Sequence, residues 1–287
     1  MLLKRLITAA ATACVFAAAA APAFADGWWD DAFKERRKVT LDASALKGVT
    51  GGIDRAAVLV RLHSGVLDFT QVKPDGSDLR FIGADGRTPL TYHIERFDPL
   101  AELALIWVDV PKIAPGAAQE IWLYYGNQAA VMVSNPAATF DGEFSLVAHL
   151  NENAAVPVDQ TANANVFSAT GTRPTVEGLV AGGMTLGADA QIRAAASRSL
   201  NVEAAGKMTW SSWVKPAAGS AVADEALYTK LSAAGDADPV RLSIGLRQDV
   251  PYVALVTAAG AVEAVASAPL PEGTWAHLAV SAGEGKV

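Results

Sequence analysis

The chain has 287 residues, of which 51% are hydrophobic and 18% charged, enough for two domains of about 100–150 residues. Its 24 glycines and 14 prolines are spread along the whole length, which favours many short elements over a helical bundle. The formal net charge is −7, and basic residues cluster only around Lys34–Lys38. A phosphate backbone therefore has no electrostatic partner here, which excludes nucleic acid as a ligand.

The first 25 residues have the pattern of a cleaved secretory signal. Lys4 and Arg5 precede an apolar run from Leu6 to Ala21, and a helix-breaking Pro22 precedes a small-residue cleavage site. This predicts an exported protein, periplasmic or associated with the cell envelope, that begins at Asp26. An uncleaved membrane anchor and a lipoprotein are the less favoured alternatives.

Loss of the signal would remove Cys14, the only cysteine. The mature chain would then have no thiol for a disulfide, a metal or a covalent mechanism. Beyond the signal, the longest stretch without a charge is Ile121–Phe140, but glycine, asparagine and proline interrupt its apolar character. We therefore expect residues 26–287 to make no contact with the membrane once the signal is removed.

Alternation of apolar and polar residues with a period of two recurs along the chain and predicts β-strands. It is clear in Val58–Leu62, in Leu90–Ile94 and in Val240–Leu246. Turn clusters separate these from further predicted strands, namely Lys38–Asp42, Leu103–Val110, Gln119–Tyr125, Met208–Val214, Tyr252–Val256 and Trp275–Ser281. The spacing predicts an all-β protein built from antiparallel sandwiches or jelly rolls.

Two stretches lack the strand pattern over any length. Gln128–Ala138 and Asp189–Ser199 are expected to be loops, each with room for one helical turn. The first ends near a break at residues 136–144, after which the chain is richer in alanine, glycine and threonine. We therefore predict an N-terminal domain over residues 26–140 and a second domain over residues 144–287.

The first half contains six ordered blocks: Arg37–Leu41, Val58–His63, Asp75–Phe81, Pro89–Glu95, Ile106–Pro111 and Ile121–Asn127. Over about residues 27–140 it resembles a bacterial and archaeal domain of unknown function. That domain is often found ahead of MotA/TolQ/ExbB-type proton-channel domains in one polypeptide. The resemblance implies a place in energy-coupling transport, but it implies no activity.

The second half carries the blocks Leu146–Leu150 with Asp159 following, Gly182–Leu186, Met208–Pro216 and Gly273–Val280. It resembles a LamG-like, concanavalin A-type jelly roll, and the resemblance assigns Trp213 to the core between the sheets. Such domains continue beyond the Trp275–His277 block with a further strand, whereas this sequence ends at Val287. Because an open sheet edge is an aggregation hazard, we expect a fragment of a longer protein whose missing part could include transmembrane proton-channel helices.

Reactive groups give little sign of catalysis. The histidines, His63, His93, His149 and His277, lie far apart in or beside predicted strands, where a structural role is expected. A glycosidase needs only two facing carboxylates, and the nearest group is Glu95, Asp98, Glu102 and Asp109. These positions look outward-facing or lie in loops, so we predict that the protein is not an enzyme.

No cofactor is expected. Asp236 with Asp238, or Asp75 with Asp78, could supply oxygen ligands to Ca²⁺, but neither pair has the ligand count of a dedicated calcium site. A role in turns is the favoured interpretation, and no metal site is assigned.

Aromatic residues provide the candidate ligand-binding positions. In the strand Gln119–Tyr125, Trp122 and Tyr124 share one face, and sugar rings stack on exposed faces of such side chains. Packing inside the sandwich is the competing interpretation for Trp122, and it is favoured for Trp107, which shares a face with Leu103 and Leu105. Trp28 and Trp29 are expected to be the most exposed tryptophans, either disordered or anchoring the first strand.

Three functions follow as hypotheses. The first is a non-catalytic extracytoplasmic recognition module in the N-terminal part of a MotA/TolQ/ExbB-type polypeptide, gripping a protein partner or a glycan. The second is a free-standing periplasmic or secreted lectin-like protein that binds carbohydrate. The third is a polysaccharide-acting hydrolase whose catalytic residues are among the scattered acids.

Overall fold

The computed structural model describes residues 27–44, 46, 51–152, 156–201, 207–219, 223–231, 241–257 and 260–282. The predicted signal peptide and the Asp236/Asp238 pair lie outside these residues. The chain divides into two compact units, Met1–Asn135 and Pro136–Val287. Both are built almost entirely of antiparallel strands, which confirms the predicted all-β class.

The first unit is a sandwich of two sheets. Its strands are β1 (Glu35–Asp42), β2 (Ile53–His63), β3 (Arg80–Ile82), β4 (Pro89–Leu90), β5 (Tyr92–Asp98), β6 (Leu103–Ile113) and β7 (Ala118–Tyr125), with a 3₁₀ helix at Phe69–Gln71. Sheet A has the order β1-β7-β3-β4 and sheet B has the order β2-β6-β5. All neighbouring strands pair antiparallel.

Alternate residues of both sheets fill one core. Ile121, Leu123 and Tyr125 of β7 are buried against Ile106 and Val108 of β6, as a period of two requires. This apolar layer stabilises the sandwich through removal of hydrocarbon surface from water. The faces predicted for β7 are therefore confirmed.

The predicted strand Leu90–Ile94 is divided between the sheets. Leu90 belongs to β4 in sheet A, whereas Tyr92 begins β5 in sheet B. Leu90, Tyr92 and Ile94 all pack on the same core, so the apolar pattern continues although the chain changes sheet at Thr91. Periodicity reports which side is buried, and it does not report which sheet a residue joins.

The expectation that Trp107 belongs to the core was wrong. The core face of β6 carries Ala104, Ile106, Val108 and Val110, and Trp107 lies on the opposite face. There its indole N–H donates a hydrogen bond of 2.6 Å to the Glu95 carboxylate. The strand is apolar on both faces, so alternation alone could not distinguish them.

The second unit contains one short α-helix, one 3₁₀ helix (Arg198–Leu200) and ten strands among its described residues. They are α1 (Pro136–Thr139), β8 (Phe167–Thr170), β9 (Thr175–Glu177), β10 (Gly182–Met184), β11 (Gln191–Ala194), β12 (Met208–Val214), β13 (Glu225–Leu231), β14 (Arg241–Arg247), β15 (Val250–Thr257), β16 (Gly260–Val265) and β17 (Ala276–Ala282). Strands β13 to β16 form one sheet in chain order, and β12 pairs with β17. The remaining strands form the pairs β8–β11 and β9–β10.

One apolar cluster joins the four-stranded sheet to the β12–β17 pair. Leu242, Ile244 and Val253 are buried, and Trp210 and Val280 pack against them. Trp213 points the other way, is 45% exposed, and lies with its ring 5.0 Å from that of His277. The assignment of Trp213 to the core is thus corrected: Trp210 occupies that place.

Loop predictions had mixed outcomes. Within Gln128–Ala138 a helical turn begins at Pro136, as expected. Within Asp189–Ser199, however, Gln191–Ala194 forms β11, paired with β8. Only Ile192 of this strand turns inward, so the sequence carries no alternation to reveal it.

A buried carboxylate organises the start of the second unit. Asp159 accepts hydrogen bonds from the backbone N–H groups of Val147, Thr161 and Asn165, and from the Asn165 side chain at 2.7 Å. Burial pushes the pKa of Asp159 upward, but these hydrogen bonds outweigh it, and the pKa lies below its ordinary value. The Asp159 carboxylate therefore connects the backbone at Val147, Thr161 and Asn165.

Candidate functional site

The candidate site is the outer face of sheet A, defined by the outward side chains of β1, β7 and β3. Val39 and Leu41 of β1 pack inward, so Arg36 and Lys38 project from the opposite side. On β7 the same alternation turns Trp122 and Tyr124 outward. Arg36 is paired with Tyr124 and Lys38 with Trp122, which places cations beside rings.

Tyr124, one of the two predicted ligand-binding residues, is fully buried on this face. Residues 27–34, which we call the strap, cross it: the Trp28, Trp29 and Phe33 rings lie 5.5, 5.7 and 6.5 Å from the Tyr124 ring. The phenol oxygen accepts the Trp29 backbone N–H at 3.2 Å. Tyr124 thus anchors the strap and presents no ring face to a ligand.

The strap holds its own shape through local hydrogen bonds. The Trp28 indole N–H donates to the Phe33 carbonyl at 2.9 Å, and the Ala32 N–H donates to Asp30 Oδ1 at 2.9 Å. Trp28 remains 40% exposed, whereas Trp29 is half-buried in the cluster around Tyr124. These tryptophans therefore anchor the first strand, which was one of the two alternatives. The expectation that they are the most exposed tryptophans was wrong, because Trp29 is half-buried and Trp213, at 45%, is more exposed than Trp28.

Trp122, the other predicted ligand-binding residue, is half-buried and lies beside two cations. The Arg36 guanidinium carbon is 4.5 Å from the centre of the Trp122 ring and 5.0 Å from that of Trp28. The Lys38 ammonium is 5.4 Å from the Trp122 ring and forms an ion pair of 2.9 Å with Glu120. Cations over indole faces are attracted by the ring quadrupole, so these contacts hold the Trp122 ring in place.

Arg36 and Arg80 share this face but differ in how far their donors are used. Arg80 donates to the carbonyls of Ser77, Leu79 and Val131 at 2.6 to 2.9 Å. With acceptors in the described part of the chain, Arg36 makes only two long bonds, both from Nη1, to the Tyr124 hydroxyl at 3.3 Å and the Gly27 carbonyl at 3.4 Å. Arg80 is a structural residue, whereas Arg36 keeps donor capacity.

Sequence reasoning found Trp122 but missed Arg36 as its neighbour. Alternation in β1 does place Arg36 and Lys38 on one face, and this signal was available. The pairing of β1 with β7, whose partner residues are 76 to 90 positions apart, was not available from the pattern of either strand.

The acidic residues considered for catalysis have separate structural partners. Asp109 forms an ion pair of 2.6 Å with Arg55, and Glu95 accepts the Trp107 indole N–H. Asp98 accepts hydrogen bonds from the Ala101 N–H at 2.9 Å and from Arg96 at 3.1 Å, and these contacts, the first above all, lower the pKa of Asp98. Glu102 lies in the following turn with a φ of 50°.

The four histidines have different local roles. His63 Nδ1 accepts the Gly65 N–H at 3.1 Å, which closes the turn after β2. His93 is buried in β5, and burial lowers its pKa to about 4. His149 lies against the Phe140 ring, and His277 lies against Trp213.

Asp75 and Asp78, considered as calcium ligands, bind backbone N–H groups. Asp75 accepts from the Ser77 N–H at 3.0 Å, and Asp78 accepts from Lys73 and Gly126. Among the residues that the structure describes, no group of three or more His, Cys, Asp or Glu side chains could hold a metal ion. In the same residues, no helix is long and apolar enough to cross a membrane.

Comparison with known families gives one match. Residues 75–151 match the model of DUF2341, a domain of unknown function. The match includes strands β3 to β7, and so it includes the Trp122 side of the candidate site. It confirms the resemblance to a domain of unknown function over those residues. No curated protein and no solved structure matches the chain.

Proposed function

We propose that this protein is an exported, non-catalytic recognition module that binds its partner on the outer face of sheet A. The observation that carries the proposal is Trp122, a half-exposed indole held by Arg36 and Lys38 on the solvent side of the sheet. Solvent-facing sheet surfaces are usually polar, and aromatic and arginine side chains are enriched where proteins bind partners. A rigid ring with adjacent cations is a recognition surface.

Support for a non-catalytic role comes from the acidic side chains. Asp109, Glu95 and Asp98 are each engaged by a different structural partner. A glycosidase needs one carboxyl group kept protonated near neutral pH. For Asp98 the pKa is shifted in the opposite direction.

The module is proposed as the N-terminal part of a MotA/TolQ/ExbB-type polypeptide. The DUF2341 match over residues 75–151 supports this context, because the domain that the first half resembles often precedes such proton channels. The second unit is proposed as a LamG-like jelly roll. Its four-stranded antiparallel sheet, packed through Trp210 on the β12–β17 pair, supports that part of the proposal.

Cell fractionation tests this context. An antibody raised against residues 27–287 is used to probe immunoblots of the native cells. The proposal predicts a product in the membrane fraction that is clearly larger than the 29.8 kDa chain. A soluble product of that size or smaller would contradict the proton-channel context, and in the periplasm it would favour a free-standing protein.

A free-standing lectin-like protein is the second candidate, and it rests on the same Trp122 ring. A glycan array tests it with Trp122→Ala and, as a matched control, Trp213→Ala, which removes a 45% exposed tryptophan from the second unit. Binding lost in Trp122→Ala and kept in Trp213→Ala is expected. Wild-type protein that binds no glycan, or equal loss in both variants, would contradict a lectin role for this face.

A further inference from the structure

We propose that the Arg36 end of this face binds a carboxylated sugar, a hexuronate unit of an acidic polysaccharide. The inference rests on the proposed recognition role of the outer face of sheet A and adds the chemical class of the ligand. It is based on three features that lie beside one another: the Arg36 guanidinium edge, the Trp122 indole N–H and the part of the Trp122 ring that Arg36 and Lys38 leave exposed.

Arg36 supplies the anion site. Its Nη1 atom makes both of its hydrogen bonds, and Nε and Nη2 have no acceptor among the described residues. No carboxylate in the described chain forms an ion pair with Arg36, although five such pairs occur elsewhere in those residues. Nε and Nη2 form the planar fork that accepts a carboxylate through two parallel hydrogen bonds.

The guanidinium is also held in position before any ligand arrives. It lies over both the Trp28 and Trp122 rings. The Tyr124 hydroxyl and the Gly27 carbonyl accept hydrogen bonds from its Nη1 atom. Little side-chain freedom is therefore lost on binding, which favours affinity. Glu120 is the nearest acid on the facing strand, and its ion pair with Lys38 neutralises the repulsion it would exert.

Trp122 supplies the sugar contacts. Its ring is half-exposed, and its indole N–H has no acceptor in the part of the chain that the structure describes. The apolar C–H side of a pyranose can pack on the indole while a hydroxyl accepts its N–H. In a hexuronate the carboxylate and the C–H side belong to one ring, so one sugar unit can contact Arg36 and Trp122 together.

An acidic peptide could offer the same carboxylate, but the surface favours the sugar. Extended peptides are recognised mainly by backbone pairing at a sheet edge. Here Trp122 lies on β7, the inner neighbour of the edge strand β1, so a peptide paired at that edge would be separated from the ring by β1. The acidic peptide is therefore an outcome of the test and not part of the proposal.

The experiment measures binding of the full chain to trigalacturonate, to its methyl ester and to triglutamate by isothermal titration calorimetry. The ester keeps the rings and hydroxyls but removes the negative charge. The variants are Arg36→Gln, Arg36→Lys and Trp122→Ala. Arg61→Gln is the matched control, since it removes one exposed positive charge from sheet B.

We expect the acid to bind about tenfold or more tightly than the ester, in keeping with one charge-assisted contact. Arg36→Gln removes this preference, and Arg36→Lys weakens acid binding because a lysine keeps the charge without the fork. Trp122→Ala weakens binding of acid and ester alike, and Arg61→Gln changes neither. Thermal melts followed by circular dichroism show whether each variant is folded. If Arg36→Gln is not folded, the preference for acid over ester is measured with Arg36→Lys instead.

Several outcomes would overturn the inference. Equal binding of acid and ester, with loss in Trp122→Ala, would remove the carboxylate site and leave the recognition surface standing. Triglutamate bound as tightly as trigalacturonate would overturn the sugar assignment in favour of a peptide. Absence of binding to all three probes would overturn the inference, while the glycan array would still decide whether the face recognises another glycan.

Discussion

Asp78 Oδ2 accepts a hydrogen bond of 2.8 Å from the backbone N–H of Gly126, 48 residues further along the chain. The same carboxylate, fully buried, accepts the Lys73 N–H through Oδ1 at 2.9 Å. One side chain therefore connects the loop before β3 to the end of β7, and it fixes the register of two neighbouring strands that carry the candidate site.

Asp78→Ala is expected to lower the free energy of unfolding of the first unit by about 3 kcal/mol, because two backbone donors lose their acceptor in a buried place. Urea denaturation followed by tryptophan fluorescence measures it. Asp75→Ala is the control, since Asp75 is exposed and accepts from the Ser77 N–H. Equal losses in the two variants would show that the Asp78 bridge contributes no more than an ordinary turn.

His93 predicts a dependence of stability on pH. Its pKa is about 4 when folded, because of burial, against an ordinary value of 6.5. The unfolded chain therefore binds a proton that the folded chain excludes between these values, so stability falls as the pH falls from 6.5 to 4, by up to about 3 kcal/mol. Urea denaturation at pH 7 and pH 4.5 measures the fall. His93→Gln should reduce it, and an unchanged pH dependence would contradict the burial of a neutral His93.

Asp159 predicts a further loss in stronger acid. Its folded pKa is lowered below 3.8, so its stabilising effect is present above that value and is lost as the pH falls through the folded pKa. Thermal melts between pH 5 and pH 2.5 should show a steeper decline for wild type than for Asp159→Asn. The variant should already be less stable at pH 7, since an amide cannot accept all five hydrogen bonds that the Asp159 carboxylate accepts, the Thr161 hydroxyl included. Parallel decline of both proteins would argue against this role.

The two tryptophans of β12 should differ in their contribution to stability. Trp210→Ala removes a ring that packs on Leu242, Ile244 and Val253, and we expect a loss of about 3 kcal/mol. Trp213→Ala removes a largely exposed ring and should cost less than about 1 kcal/mol. Denaturant unfolding of the second unit compares them. A larger loss for Trp213 would restore the assignment implied by the jelly-roll resemblance.

Strands with one apolar face could be predicted from the sequence, and strands without that pattern could not. Met208–Val214 was predicted with its observed bounds because Met208, Trp210 and Val214 give its inward face an apolar pattern, interrupted only at Ser212. Glu225–Leu231 was missed because a bulge between Ala226 and Tyr228 breaks the period of two. Gly260–Val265 was missed because every residue of this edge strand is exposed.

In the candidate site, too, features that depend on neighbouring residues could be predicted, and contacts between distant residues could not. Alternation correctly places Trp122 and Tyr124 on one face of β7, since this depends only on neighbouring residues. That the strap buries Tyr124 and that Arg36 lies over Trp122 depend on contacts between residues 86 to 96 positions apart in the chain. A local sequence pattern contains no information about contacts between residues so far apart. The ligand-binding prediction could therefore identify the Trp122 ring but not its neighbours Arg36 and Lys38.

The pairing of β1 with β7 also affects how the first unit can assemble. Ribosomes make proteins from the N-terminus, so Glu35–Asp42 must wait for Ala118–Tyr125 to be synthesised before gaining its neighbour in sheet A. Until then the tryptophans of the strap have no Tyr124 to cover. The tryptophan side chains of the strap therefore stay exposed to water during most of the synthesis of this unit. Chaperone binding to the nascent chain would protect it from aggregation during that period.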